Sequence, residues 1–403
     1  MKNIDEANFK GKKVLLRVDF NVPFNEMQEI TDDTRIRKTI PTIRKIIRDG
    51  GSVIIMTHLG KPEGEFKEEL SLTNVLPVLS ELLKLEVLFA DDCIGNQAVS
   101  LSRGLKKGEV LLLENLRFHK EEEEGSEDFA RKLASLGDVY VNDAFGAAHR
   151  PHASVSVLPQ FIKERYAGIL FLKELEKINK IMENQQKPFI AIIGGAKVSD
   201  KIKVIEVLLD KVDYLLIGGA MAYTFVKAKG GDIGSSIYEK DALDKALALL
   251  EKAKQNNVKI MLPLDSMIVD MDEANDPEDS QTDQIPEHFK GMDIGFEARG
   301  MFEDIIDNSK TILWNGPMGV FEINEFEGGT KAIAKAIANA TRNGAFSLIG
   351  GGETSAAVKK FGLTDQFSHV STGGGALLKY IEGKQFPAIK ALEEVHAYAE
   401  QNK

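Results

Sequence analysis

The sequence predicts an α/β protein built from two doubly wound parallel-sheet domains that face each other across a cleft. Three observations point there. At 403 residues the chain exceeds one ordinary hydrophobic core, so two domains are expected. Short apolar runs rich in β-branched residues recur along it. Most are continuously apolar rather than alternating, as strands of a parallel sheet covered on both faces should be. Each run precedes a longer helical stretch, the alternation of a doubly wound fold.

Taken in order, the first half offers strands at KVLLRVDFN, SVIIMTHLG, EVLLLENLRFH and VYVNDAFG. The second half offers FIAIIGGAK, YLLIGGA, KIMLPLDS, TILWNGPMG, FSLIGGGE and HVSTGGG. Between the halves, Ile169, Leu172, Leu175 and Ile178 recur at helical spacing, so residues 169–187 are expected to form a long connecting helix before Pro188. The acidic, lysine-free stretch 271–286 is expected to be a solvated surface loop, and the EEEEG run at 121–125 a solvated helix start.

Composition narrows the function. With 43% hydrophobic and 28% charged residues the chain is globular, and disorder is not expected. A formal charge of −11 argues against nucleic acid as partner, so any polyanion must meet a local basic pocket. One cysteine, Cys93, excludes an internal disulfide framework and fits a reducing cytoplasm. The first residues carry acids and no apolar core, so no secretory signal is expected, and no run is long enough for a membrane.

In open parallel sheets ligands bind beyond the carboxyl ends of the strands. In the first half those ends carry Arg17, Asp19, Asn21, His58, Lys61, Arg117, His119, His149, Arg150 and His152. In the second they carry glycine: Gly194-Gly195, Gly218-Gly219, Gly316, Gly350–Gly352 and Gly373–Gly375. Guanidinium forks suit carboxylate and phosphate, whereas glycine lets backbone N–H groups approach a polyphosphate. One half therefore looks built for a small anion and the other for a nucleotide, with transfer of a group between them. Any one Gly-Gly turn alone would be a tight turn; several aligned at strand ends carry the argument. His149-Arg150-Pro151-His152 has H-x-x-H spacing, but a guanidinium between two imidazoles disfavours a dication. A dehydrogenase would want G-x-G-x-x-G after the first strand, and RVDFNVP has no glycine.

RVDFNVP, THLGKP, LLLENLRFH, NDAFGAAHRPHAS, GGAKVSDKI, IGGAMAYTF, WNGPMGVFE and STGGGA together resemble phosphoglycerate kinase, in that family's order and essentially end to end. The resemblance implies a phosphoglycerate domain at 1–168, the connecting helix, a nucleotide domain at 188–386, and a segment 387–403 that packs back on the first domain. It implies reversible transfer from 1,3-bisphosphoglycerate to ADP, giving 3-phosphoglycerate and ATP, with Mg2+, in a cytoplasmic, hinge-bending monomer. Asp19, Phe20, Asn21, Arg35, His58, Leu59, Gly60, Lys61, Arg117 and Arg150 would hold the phosphoglycerate. Gly195, Lys197, Lys201, Gly218, Gly219, Gly295, Asn315, Pro317, Glu322, Gly351, Gly352, Glu353 and Thr354 would hold the nucleotide, with Trp314–Val320 near base and ribose. Arg35, Lys197 and Gly374 form the implied catalytic set, and Glu353 the magnesium contact. Lys197 and Lys201, four apart, would face one ligand from one helical turn.

Three positions depart from the commoner family pattern: Lys61 for arginine, Glu353 for aspartate, and Phe296-Glu297 after Gly295. None removes a charge from the transfer centre. A non-catalytic nucleotide-binding protein that kept the fold is the alternative; it predicts loss of Arg35 or Lys197, and both are present.

Overall fold

In a computed structural model, which describes residues 1–271 and 276–393, the chain divides into two compact units. One unit comprises Met1–Leu175 and the segment that begins at Gly383; the other comprises Glu176–Glu382. The remainder of 387–403 beyond residue 393 and four residues of the acidic stretch lie outside the described residues.

The first unit holds β1 (Lys13–Arg17), β2 (Ser52–Met56), β3 (Val87–Ala90), β4 (Val110–Leu113), β5 (Val139–Asn142) and β6 (Glu164–Ala167). They form a six-stranded sheet in the order β3-β4-β2-β1-β5-β6, parallel throughout. Strands β1, β2, β4 and β5 are buried along nearly their whole length, which accounts for their unbroken apolar runs. Strands β3 and β6 went unread in the sequence. Both are edge strands of four residues, and the run of β6 is broken by charge: Glu164 is half-buried, and buried Arg165 donates to Pro159 O at 2.8 Å. The helix Pro387–Glu393 belongs to this unit: Ala388 N–H donates to Ala148 O at 3.2 Å, and the Phe386 and Phe145 rings lie 5.7 Å apart.

The second unit holds β7 (Phe189–Ile193), β8 (Tyr214–Ile217), β9 (Asp232–Ile233), β10 (Lys259–Met261), β11 (Asp265–Asp270), β12 (Glu278–Gln281), β13 (Gln284–Ile285), β14 (Phe289–Ile294), β15 (Thr311–Asn315), β16 (Phe346–Gly350) and β17 (His369–Val370). Its main sheet runs β10-β8-β7-β15-β16-β17, again parallel. Chain order reverses between β7 and β15, which is the topological switch point where such sheets bind ligands. Two small sheets, β12-β11-β14 and β13-β9, were not expected. They also correct the reading of 271–286 as a loop: its described part supplies β12, a mostly exposed edge strand, and β13.

Two further expectations change. The helix that starts at Ile169 ends at Met182 rather than at 187. The EEEEG run does start a helix, Lys120–Glu124, but Glu122 is fully buried. Among the described residues no helix is long and apolar enough to cross a membrane.

Candidate active site

In the first unit the loops after β1, β2 and β4 are tied to one another by side chains at the strand ends. Phe20 N–H donates to Thr57 Oγ1 at 2.9 Å and Gly60 N–H to Asn21 Oδ1 at 2.9 Å. Asn115, after β4, accepts from Leu59 N–H at 3.2 Å and donates to Leu59 O at 2.8 Å and Leu70 O at 3.0 Å. Sequence reasoning passed over Thr57 and Asn115; a polar residue closing a buried apolar run was the available signal. Phe20 and Leu59 bury their side chains in the core, so only their backbones face the loops.

The cations sit on this frame. Arg35, in the first turn of the helix Thr34–Arg48, donates from Nη1 to Asp19 Oδ1 at 3.0 Å and to Asn21 O at 3.1 Å. Arg117 is buried, donates to Gly60 O at 2.7 Å, and has Glu123 Oε1 3.1 Å from its Nε. Its Nη2 is buried without a hydrogen-bond partner. Burial lowers the Arg117 pKa, opposed by Glu123 and helped by Arg150 and Arg17. Arg150 is half-buried and Lys61 exposed. His58 is held well below the ordinary histidine range by burial first, then by Arg17, Arg117, Arg150 and Arg35. His152 is pushed down to about 3 by burial, followed by Arg17, Arg117 and Arg150. Burial leads both shifts, and the guanidiniums that add to them make a site that an anion would relieve.

Arg17, at the end of an apolar run, finds its partners inside the core. It is fully buried and donates to Ser154 Oγ at 2.8 Å, to Val18 O, and to His58 Nδ1 at 3.3 Å. His119 pairs with Asp92 at 2.7 Å, in a group with Cys93. Asp92, Cys93 and His119 are the one cluster of potential metal donors among the described residues, and His149 and His152 are not part of it.

In the second unit the ends of β7 and β15 cross closely. Gly194 N–H donates to Asn315 O at 2.9 Å, and Gly195 N–H to Pro317 O at 3.2 Å. A Cβ on Gly194 would lie 2.0 Å from Pro317 O, so only glycine permits the crossing. Beyond it opens a cavity of about 540 Å³, lined by Lys197, Lys201, Asn315, Thr354, Gly374 and the turn Gly351–Glu353, among others. Gly351 has φ +95° and caps the helix Gly352–Lys360, whose first N–H groups start at this turn. Thr354 Oγ1 accepts from Gly316 N–H at 2.7 Å, and its own proton remains available. Lys201 donates to Asn315 Oδ1. Burial lowers the Lys201 pKa, while Glu353 and Asp200 pull it back up. A second cavity of about 250 Å³ is lined by Gly219, Tyr223, Gly291, Pro317, Val320 and Glu322, among others. Gly195, Ala196 and Glu353 line both. A chamber lined by lysines and glycine turns, beside a somewhat more apolar one, suits a polyphosphate joined to a nucleoside.

Not every expected contact falls here. Gly295 lies outside both linings: it caps the helix Phe296–Asp307, and an added Cβ would come within 2.3 Å of the Asp265 carboxyl that packs there. Gly291, four residues earlier on β14, lines the smaller cavity. Gly218 packs under Met318, and Trp314 is a core side chain that donates to Gly316 O at 2.8 Å. Lys197 and Lys201 share a cavity, but the helix begins only at Ile202, so a turn rather than a helical face brings them together.

The sequence profile of the family described as Phosphoglycerate kinase matches residues 4–384. The chain is 49% identical over 392 residues to the phosphoglycerate kinase of Chloroherpeton thalassium, covering 97% of this chain and 98% of that protein. It is 49% identical over 392 residues to the cytosolic phosphoglycerate kinase of Triticum aestivum, again covering 97% and 98%. The solved structure of phosphoglycerate kinase from Coxiella burnetii is similar with a TM-score of 0.86 at 41% identity, covering 97% of this chain and 98% of that one.

Proposed function

The chain belongs to the phosphoglycerate kinase family, and we propose that its first unit holds the phosphoglycerate while its second holds the nucleotide. It is a phosphotransferase of glycolysis, moving a phosphoryl group reversibly between 1,3-bisphosphoglycerate and ADP. The observation that carries the assignment of halves is the chamber of lysines and glycine turns at the β7/β15 switch point, adjoining a second, smaller cavity. The cluster of guanidiniums around His58, with Arg117 Nη2 left without a hydrogen-bond partner, supports the other half of the assignment.

Both attacking groups, an ADP phosphate or a carboxylate, are already ionised at neutral pH, so the protein need not supply a base. Its work is positioning and charge. Arg35, oriented by Asp19 and Asn21 O, and Lys197 in the larger cavity are the cations assigned to the transferring group, with Gly374 lining the same cavity. Arg117 Nη2 and Arg150 would meet the phosphoglycerate, and Lys201 and Thr354 the nucleotide phosphates. Glu353 and Asp200 line the phosphate chamber among lysines, a donor set that fits a magnesium ion sharing one or two carboxylates with phosphate. Such an ion would offset phosphate charge; Glu353 is the residue assigned to hold it. The cytosolic relatives support a cytoplasmic enzyme, and a monomer is what the family resemblance implies.

The test is steady-state kinetics in a coupled assay with 3-phosphoglycerate and ATP. Arg35→Ala and Lys197→Ala should each lower kcat by about 10²–10³-fold, the scale of removing one preorganised donor from a transition state. A variant that raises only KM removes that residue from the transfer centre.

A further inference from the structure

We propose that Arg17 is a positioning residue that fixes His58 as the neutral tautomer protonated on Nε2, so that the imidazole meets phosphoglycerate as an uncharged donor. This rests on the reading of the first unit as the phosphoglycerate site. A guanidinium has five N–H donors and no acceptor. Arg17 Nη2 lies 3.3 Å from His58 Nδ1, so Nδ1 must present its lone pair and the ring proton must sit on Nε2. An imidazolium would set two N–H groups against each other. Burial and the four guanidiniums that act on His58 oppose that form independently.

Arg17 is not free to turn elsewhere. It ends β1, is fully buried, and donates from Nε to Ser154 Oγ at 2.8 Å and from Nη1 to Val18 O. Ser154 is in turn held by a buried carboxylate: its Oγ donates to Glu122 Oε1 at 2.6 Å and its N–H to Glu122 Oε2 at 2.9 Å. Tyr140 donates to Ser154 O at 2.9 Å. Burial raises the Glu122 pKa, and Arg17 is the first of the influences that lower it again. The charge of Arg17 is therefore answered at one remove, through a serine, inside the core. A guanidinium spent on the ligand would point outward; this one points at a ring nitrogen. The buried glutamate that the sequence presented as a solvated helix start is the anchor of this chain.

The experiment is 15N NMR of the full-length protein with selectively labelled histidine, with His58 identified by the resonance lost in His58→Gln, alongside kinetics of Arg17→Met and Arg17→Lys. Wild-type His58 should show an unprotonated Nδ1 and a protonated Nε2 at pH 7. In Arg17→Met the ring should become a mixture of tautomers. The KM for 3-phosphoglycerate should then rise about 2- to 10-fold, the worth of one misdirected hydrogen bond, with nucleotide KM unchanged and partial recovery in Arg17→Lys. A wild-type His58 that is protonated on Nδ1, or charged, at pH 7 overturns the proposal without recourse to any variant. So does a folded Arg17→Met with unchanged phosphoglycerate KM. Failure of the substrate assignment itself would leave the tautomer in place and show instead as an absence of phosphoglycerate-induced shifts at His58.

Discussion

Replacing Gly194 by alanine tests the crossing on which the nucleotide site is built. The added Cβ would lie 2.0 Å from Pro317 O and 2.7 Å from Gly316 O, whereas real Cβ contacts do not fall below 3.0 Å. Both obstacles are backbone, so relief requires the turn after β15 to move by about 1 Å, against hydrogen bonds of 2.9 and 3.2 Å that tie it to Gly194 and Gly195. Overpacking costs about 1–3 kcal/mol, and the upper end applies where no side chain can swing aside. For a unit of this size that is a fall in Tm of roughly 6–12 °C. Gly352→Ala is the control. Gly352 is the first residue of its helix, and an added Cβ meets nothing within 4 Å, so stability should change by less than about 1 kcal/mol. Yet Gly352 lines the larger cavity, so its nucleotide KM should rise while Tm holds. Thermal unfolding by circular dichroism and nucleotide kinetics on both variants are the assays. A Gly194→Ala protein that melts within about 2 °C of the parent would refute the argument from close approach.

Glu353→Asp should keep most activity, because magnesium keeps several waters and one can fill a shortened reach, whereas Glu353→Ala should weaken magnesium–nucleotide use far more than phosphoglycerate binding. The Mg2+ dependence of nucleotide KM decides; an alanine variant equal to the parent at low Mg2+ would leave Glu353 as a helix-start residue only. His152 should make folding acid-sensitive. Its folded pKa of about 3 lies below the unfolded value near 6.5, so the unfolded state takes up the proton first and stability is full above pH 6.5 and lost as pH falls toward 3. Between pH 6.5 and 4.5 the parent should lose about 2–3 kcal/mol more than His152→Gln in urea unfolding. Asp143 and Asp293, raised to about 6 chiefly by burial, act in the opposite sense over that window but equally in both proteins. Parallel stability curves for the two would remove His152 from the account.

Much of the molecule was legible in one dimension. Continuous apolar runs mark strands buried on both faces, so β1, β2, β4, β5, β7, β8, β15 and β16 could be read directly, and the parallel class with them. Because such sheets bind ligands at their carboxyl ends, the residues just after those runs named the lysines, arginines and glycine turns that line the sites. What the sequence could not state was which of those ends meet. That Gly291 lines the smaller cavity depends on where β14 lies against β11, and the burial of Glu122 on the hydrogen bond that Ser154 brings to it. Arg17 and Arg117 look alike along the chain; one is turned inward on His58 and the other left with an unsatisfied Nη2. A run of residues records its own burial through its composition. It does not record its neighbours, because parallel pairing joins segments far apart in the chain, and the partner a buried charge finds is chosen only when those segments pack.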